Sequence, residues 1–183
     1  RTFSSAASDV YKRQPLGDAT GAAHLLEFDS VHGRWNKAIS NDQNNLSIED
    51  QPISFSKESD FIKVPWREKG IELILECSGK FKTPQTLNPY FDTLGMKRVV
   101  VACPVKGEIQ GEDALNIVYG INHDLYEPNK HHLVTAASCT TNCLAPVVKV
   151  VNQAFGIKHG CITTLHDLTN TQVIVDSFKP DLR

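Results

Sequence analysis

Ala137-Ser138-Cys139-Thr140-Thr141-Asn142-Cys143 places a thiol among hydroxyl side chains. An apolar run, residues 133–137 ("LVTAA"), leads directly into it, and the pattern of residues 140–155 predicts a helix stopped by Gly156. A thiol at the first turn of a helix lies at the positive end of the helix dipole. Its thiolate, the nucleophilic form, is stabilised there. Ser138, Thr140 and Thr141 add hydroxyls, and the unpaired N–H groups of the first turn add donors, so the same spot suits an anion. Covalent thiol chemistry also needs a base. His166 stands 27 residues later (166 − 139) at the end of a second apolar run, residues 160–166 ("GCITTLH"). One helix and a return strand would bring it to the same rim. Singly, such a cysteine or histidine is more often a capping or surface group. The combination is what predicts a nucleophile, a base and an anion site.

These side chains need a frame. Residues 19–28 read as a helix with Asp18 as N-cap. Residues 46–49 and 53–56 alternate in polarity around Asp50-Gln51-Pro52 and predict a hairpin. Residues 71–77 ("IELILEC") and 97–103 ("KRVVVAC") are nearly continuous apolar runs, hence buried strands. Between them, residues 84–94 predict a helix with Pro84 in its first turn and Gly95 past its end. Residues 116–119, 133–137 and 160–166 complete the strands. Strands alternating with helices predict an α/β fold with a mostly parallel, doubly wound sheet, whose ligands sit at the carboxyl ends of the strands. The "ASCTTNC" segment falls at such an end.

At 183 residues, 40% hydrophobic and 22% charged, the composition is that of an ordinary globular protein. A net charge of −2 favours neither nucleic acid nor an anionic membrane as partner. No apolar run approaches the roughly 18 residues of a membrane helix. Five cysteines without a Cys-x-x-Cys pair point to reduced thiols and a cytoplasmic setting, not a disulfide framework. Their spacing does not suit zinc, so no metal is expected. Cys77, Cys103 and Cys161, on predicted strands, are expected in the core. Cys143, one helical turn after Cys139, reads as a packing residue in preference to a resolving thiol. Residues 1–14, serine-rich and without a period, read as a non-native leader.

"ASCTTNCLAPVVKVV" followed by "FGIKHGCITTLHDLTNTQ" closely resembles the phosphorylating glyceraldehyde-3-phosphate dehydrogenase family. "HLLEFDSVHGRW", "ECSGKF", "KRVVVACP" and "YGINHDLY" match family segments in the same order, so the resemblance runs from Pro15 to Arg183. It implies an incomplete Rossmann-type sheet, residues 15–138, as a partial NAD(P)-binding domain. The beginning of an α+β catalytic domain follows at residues 139–183. It also implies a mechanism. Cys139 attacks an aldehyde to give a thiohemiacetal, and His166 keeps the thiolate reactive and moves the proton. Oxidation by NAD or NADP gives a thioester, which inorganic phosphate cleaves to an acyl phosphate.

By the same resemblance, Ser138, Thr140, Thr169 and Thr171 bind the oxyanions of the sugar phosphate and inorganic phosphate. Ser78, Gly79, Ala102 and Asn170 belong to the cofactor wall. Family members usually carry Ser at the position of Ala102 or Thr at that of Ser78. The glycine-rich turn lies outside the chain, and Gln14 stands where the family has the acid that holds the adenosine ribose. A homotetramer is implied for the full-length protein. "HDLTNTQ" and "KPDLR" look closer to a subgroup associated with arsenate, which would replace phosphate. Two alternatives accompany this expectation: an erythrose-4-phosphate dehydrogenase, and a non-enzymatic remnant with a reactive thiol.

Overall fold

The computed structural model describes residues 10–13, 17–29, 32–109 and 112–166. Thr169, Asn170 and Thr171 therefore lie outside the described residues. The chain divides into two compact units, the second running from Glu72 to His166.

The first unit contains β1 (Val10–Arg13), α1 (Ala19–Glu27), the short antiparallel pair β2 (Phe28–Asp29) and β3 (Gly33–Arg34), then β4 (Ile39–Asn41), β5 (Asn45–Ile48) and β6 (Gln51–Ser56). The larger sheet has the order β1-β6-β5-β4, with β1 parallel to β6 and the other pairs antiparallel. Asp18 begins α1 as predicted, its Oδ1 accepting the Gly21 N–H at 2.7 Å. Ala19, Ala22, Ala23 and Leu26 recur at helical spacing and pack with Leu46, Ile53 and Phe55. The hairpin turns on Glu49 and Asp50, with φ of 48° and 67°. Two left-handed residues make a turn whose twist matches that of the strands, which fixes Ile48 opposite Gln51. Strand β1 has no counterpart in the sequence pattern. A four-residue strand is too short to show a period and pairs through its backbone.

The second unit contains β7 (Leu73–Glu76), α2 (Pro84–Asp92), β8 (Arg98–Val101), the small hairpin β9 (Glu108–Ile109) and β10 (Glu112–Asp113), β11 (Leu115–Asn116), β12 (Leu133–Thr135) and α3 (Cys139–Phe155). Its sheet has the order β11-β12-β8-β7, every pair parallel. Thr83 and Thr86 form a reciprocal capping box that starts α2, with Pro84 in the first turn. Leu87, Tyr90 and Phe91 bury one stripe of that helix.

Three expectations are corrected here. Residues 71–77 are not buried on both faces: Ile74 and Glu76 are buried, whereas Leu73 and Leu75 are half exposed. Residues 160–166 join no sheet among the described residues, because an extended segment becomes a strand only with a hydrogen-bonded neighbour. Cys77, Cys143 and Cys161 are exposed and Cys103 is half-buried, so none is a core residue. His131 is buried in this unit, its Nδ1 accepting the Glu127 N–H at 2.9 Å.

Burial sets a contrast within this unit. Leu87→Ala should lower stability by about 2–5 kcal/mol by leaving a cavity. Leu125→Ala, at a position already exposed, should change it by less than about 0.5 kcal/mol. Urea titration followed by circular dichroism measures both.

Candidate active site

The registers of the second sheet place Glu76 beside Val101, Val101 beside Thr135, and Thr135 beside Asn116. Because the strands are parallel, their carboxyl ends form one rim. Ser78 and Gly79 follow β7, Ala102 follows β8, and Ser138 and Cys139 follow β12. The three segments expected from sequence to form the site are thus gathered on one edge.

The turns after β7 and β8, expected to belong to a cofactor wall, are held from beneath. Glu76 is buried; one carboxylate oxygen accepts the Ser78 N–H at 2.7 Å and the other accepts the Tyr90 hydroxyl at 2.7 Å. Gly79 follows with φ 69° and open space where a side chain would stand. Only glycine takes this conformation without strain, and it leaves the turn's outer face accessible. The Ala102 N–H donates to the Glu76 carbonyl at 2.9 Å, tying the second segment to the first.

The junction between β12 and α3 holds the candidate nucleophile. Ala136 N–H donates to the Val101 carbonyl at 2.9 Å. Ala137 then turns with φ 55°. For a residue with a side chain, this conformation costs about 1–3 kcal/mol. Ser138 caps the helix, its Oγ accepting the Thr141 N–H at 3.0 Å. Asn142 Nδ2 donates to the Ala136 and Ser138 carbonyls at 2.8 and 2.9 Å, closing the junction from the helix side. Cys139 is consequently the first residue of a 17-residue helix.

Cys139 Sγ stands 2.9 Å from His166 Nε2. The hydrogen bond with His166 holds the Cys139 thiol below the ordinary thiol range, against the opposing effect of desolvation. The Thr140 N–H and hydroxyl and the positive charge of a protonated His166 act in the same direction. Both partners are exposed, so a substrate can reach the sulfur. Ser138 and Thr140 flank it as expected. The sequence pattern does not single out Glu76, Asn116, Thr135 or Asn142. For Asn142 a signal was present, an amide four residues past the N-cap, where it can reach back to the cap carbonyl.

A thiol of ordinary pKa is only a few per cent ionised at pH 7, so full ionisation raises its reactive fraction roughly thirtyfold. A lowered pKa places the thiolate, and hence fast alkylation, at lower pH. Cys139 should therefore react with iodoacetamide at least about tenfold faster than Cys143 at pH 7. Denaturation in urea should abolish the difference. Peptide mass spectrometry reads both sites, and equal rates in the folded chain would remove the activated thiolate.

Residues 4–84 match the family model described as "Glyceraldehyde 3-phosphate dehydrogenase, NAD binding domain". Residues 138–183 match the corresponding C-terminal domain. Glyceraldehyde-3-phosphate dehydrogenase 3 of Nostoc sp. is 58% identical over 95% of this chain and 50% of its own length. The Geobacillus stearothermophilus glyceraldehyde-3-phosphate dehydrogenase is 40% identical over 96% of this chain and 50% of its own length. That of Streptomyces coelicolor is 36% identical over 92% and 48%. The chain spans about half the length of the curated relatives it matches. It belongs to the glyceraldehyde-3-phosphate dehydrogenase family, joining that family's Rossmann-type NAD-binding domain to the start of its C-terminal domain.

Proposed function

We propose that this chain carries the nucleophile and base of an NAD(P)-dependent oxidoreductase acting on glyceraldehyde 3-phosphate. The observation that carries the proposal is the Cys139–His166 contact at the start of α3, on the rim where a doubly wound sheet binds its ligands. In this reading the Cys139 thiolate adds to the aldehyde carbon, and the alkoxide so formed takes a proton from His166. The first-turn donors around Ser138 and Thr140 stabilise that oxygen. His166 withdraws the proton again as the adduct is oxidised to a thioester on Cys139. Inorganic phosphate then attacks the thioester carbon, the carbon–sulfur bond breaks, and the thiolate is regenerated as the acyl phosphate leaves.

A bound nicotinamide dinucleotide supplies the hydride acceptor. The residues present suit such a group. Ser78, Gly79 and Ala102 form the exposed turns of the strand-end rim, and the open glycine lets a ligand approach the backbone closely.

Thr169 and Thr171 are proposed as further anion contacts and Asn170 as a nicotinamide contact, on the resemblance alone. A cytoplasmic setting is supported by five unbridged cysteines. The outward Val147, Val150 and Phe155 of α3, 58%, 64% and 87% exposed, suit burial against further protein, in line with a homotetramer of the full-length protein.

The test is NADH or NADPH formation with glyceraldehyde 3-phosphate, made dependent in turn on phosphate and on arsenate. It is run on the 183-residue chain and, beside it, on the reading frame extended at both ends. Turnover that falls by at least about a thousandfold in Cys139→Ser is expected, as for loss of a covalent nucleophile. Equal turnover with erythrose 4-phosphate would reassign the substrate. No turnover from any chain would leave a non-enzymatic protein with a reactive thiol.

A further inference from the structure

The second unit holds a buried polar chain directly behind the reactive junction. Thr135 is fully buried. Its hydroxyl lies 2.6 Å from Asn116 Oδ1 and accepts the Ala137 N–H at 3.0 Å. Asn116 Nδ2 donates to the Val105 and Ala114 carbonyls, at 3.1 Å each. Both of its amide hydrogens are thereby directed at carbonyls, so Oδ1 must be the end that faces Thr135. Oδ1 can only accept, which makes the Thr135 hydroxyl its donor. A hydroxyl that donates in one direction keeps lone pairs free in the other, and these receive the Ala137 N–H. Asn122 Nδ2 braces the chain further by donating to the Asn116 carbonyl at 2.9 Å.

The residue at the end of this chain is the left-handed Ala137. A non-glycine residue keeps such a conformation only where its surroundings over-determine it, and such residues gather at functional sites. Ala137 directs the backbone into Ser138, the N-cap, and so decides where Cys139 stands relative to His166. We propose that the Asn116–Thr135–Ala137 hydrogen-bond chain positions the nucleophile. It holds Ala137 left-handed so that the Cys139 sulfur meets His166 at the helix start. Thr135 and Asn116 are positioning residues and touch no substrate. This inference rests on Cys139 being the nucleophile.

The experiment is iodoacetamide labelling of the whole chain across pH, with Cys139 and Cys143 read separately by peptide mass spectrometry. Thr135→Val keeps the shape and removes the hydroxyl. It should move the Cys139 profile to higher pH by about one unit, a tenfold slower reaction at neutral pH. The Cys143 rate should stay as it was. Thr135→Ser, which retains the hydroxyl, should follow the wild type. Ala137→Gly added to Thr135→Val should restore the profile, since glycine takes the left-handed conformation without support. A folded Thr135→Val chain whose Cys139 profile overlays the wild type would overturn the inference. If Thr135→Val does not fold, Asn116→Ala takes its place, with a shift in the same direction expected and an unchanged profile overturning it. A wild-type chain in which Cys139 reacts no faster than Cys143 would instead sink the nucleophile reading itself.

Discussion

Cys139 Sγ and His166 Nε2 meet at 2.9 Å across 27 residues of chain, and the proposed chemistry depends on that contact. It lowers the pKa of a thiol at a helix start and so favours its thiolate. The helix dipole alone is worth only about 0.3–1 kcal/mol at an exposed site. A charge-assisted hydrogen bond from a histidine is a stronger and more directional influence. The His166 hydrogen bond is the main cause that holds the Cys139 thiol below its ordinary range.

The contact is only as good as the rim that presents it. Glu76, Val101 and Thr135 stand side by side at the ends of three parallel strands, and each supports the turn above or beside it. Glu76 holds the Ser78 N–H, Val101 receives the Ala136 N–H, and Thr135 receives the Ala137 N–H. Two of the three are buried polar residues, which would weaken a purely structural core. Each has hydrogen-bond partners, Glu76 in Ser78 and Tyr90, and Thr135 in Asn116 and Ala137, so the cost of burial is offset while the backbone above is held still. Rigid strands below and exposed reactive groups above is the arrangement a covalent mechanism needs.

Much of this was legible in the residue order. The Asp18 cap, the hairpin, the capped α2 and the Gly156 stop each declare themselves within a few residues. Cys139 and His166 were legible as a pair because one helix between two apolar runs is a local geometric statement. The enzymatic roles proposed for them rest on the resemblance to a family, which spacing alone could not supply. What stayed hidden depends on distant partners. Thr135 and Asn116 lie 19 residues apart and meet only once β11 and β12 pair. Glu76 ends an apolar run, and nothing local reveals that Tyr90 will reach it. The exposed cysteines and the half-exposed Leu73 and Leu75 were misjudged for the same reason, since burial is decided by what covers a strand.

Ultraviolet thiolate absorbance, followed against pH in the wild-type chain and in His166→Asn, tests the central contact most directly, with Cys139→Ser to assign the signal. The wild type should show a one-thiol step below the ordinary thiol range, absent from Cys139→Ser and moved to higher pH in His166→Asn. A step that stays in place when His166 is replaced would contradict the account, because the thiolate would then owe nothing to the histidine.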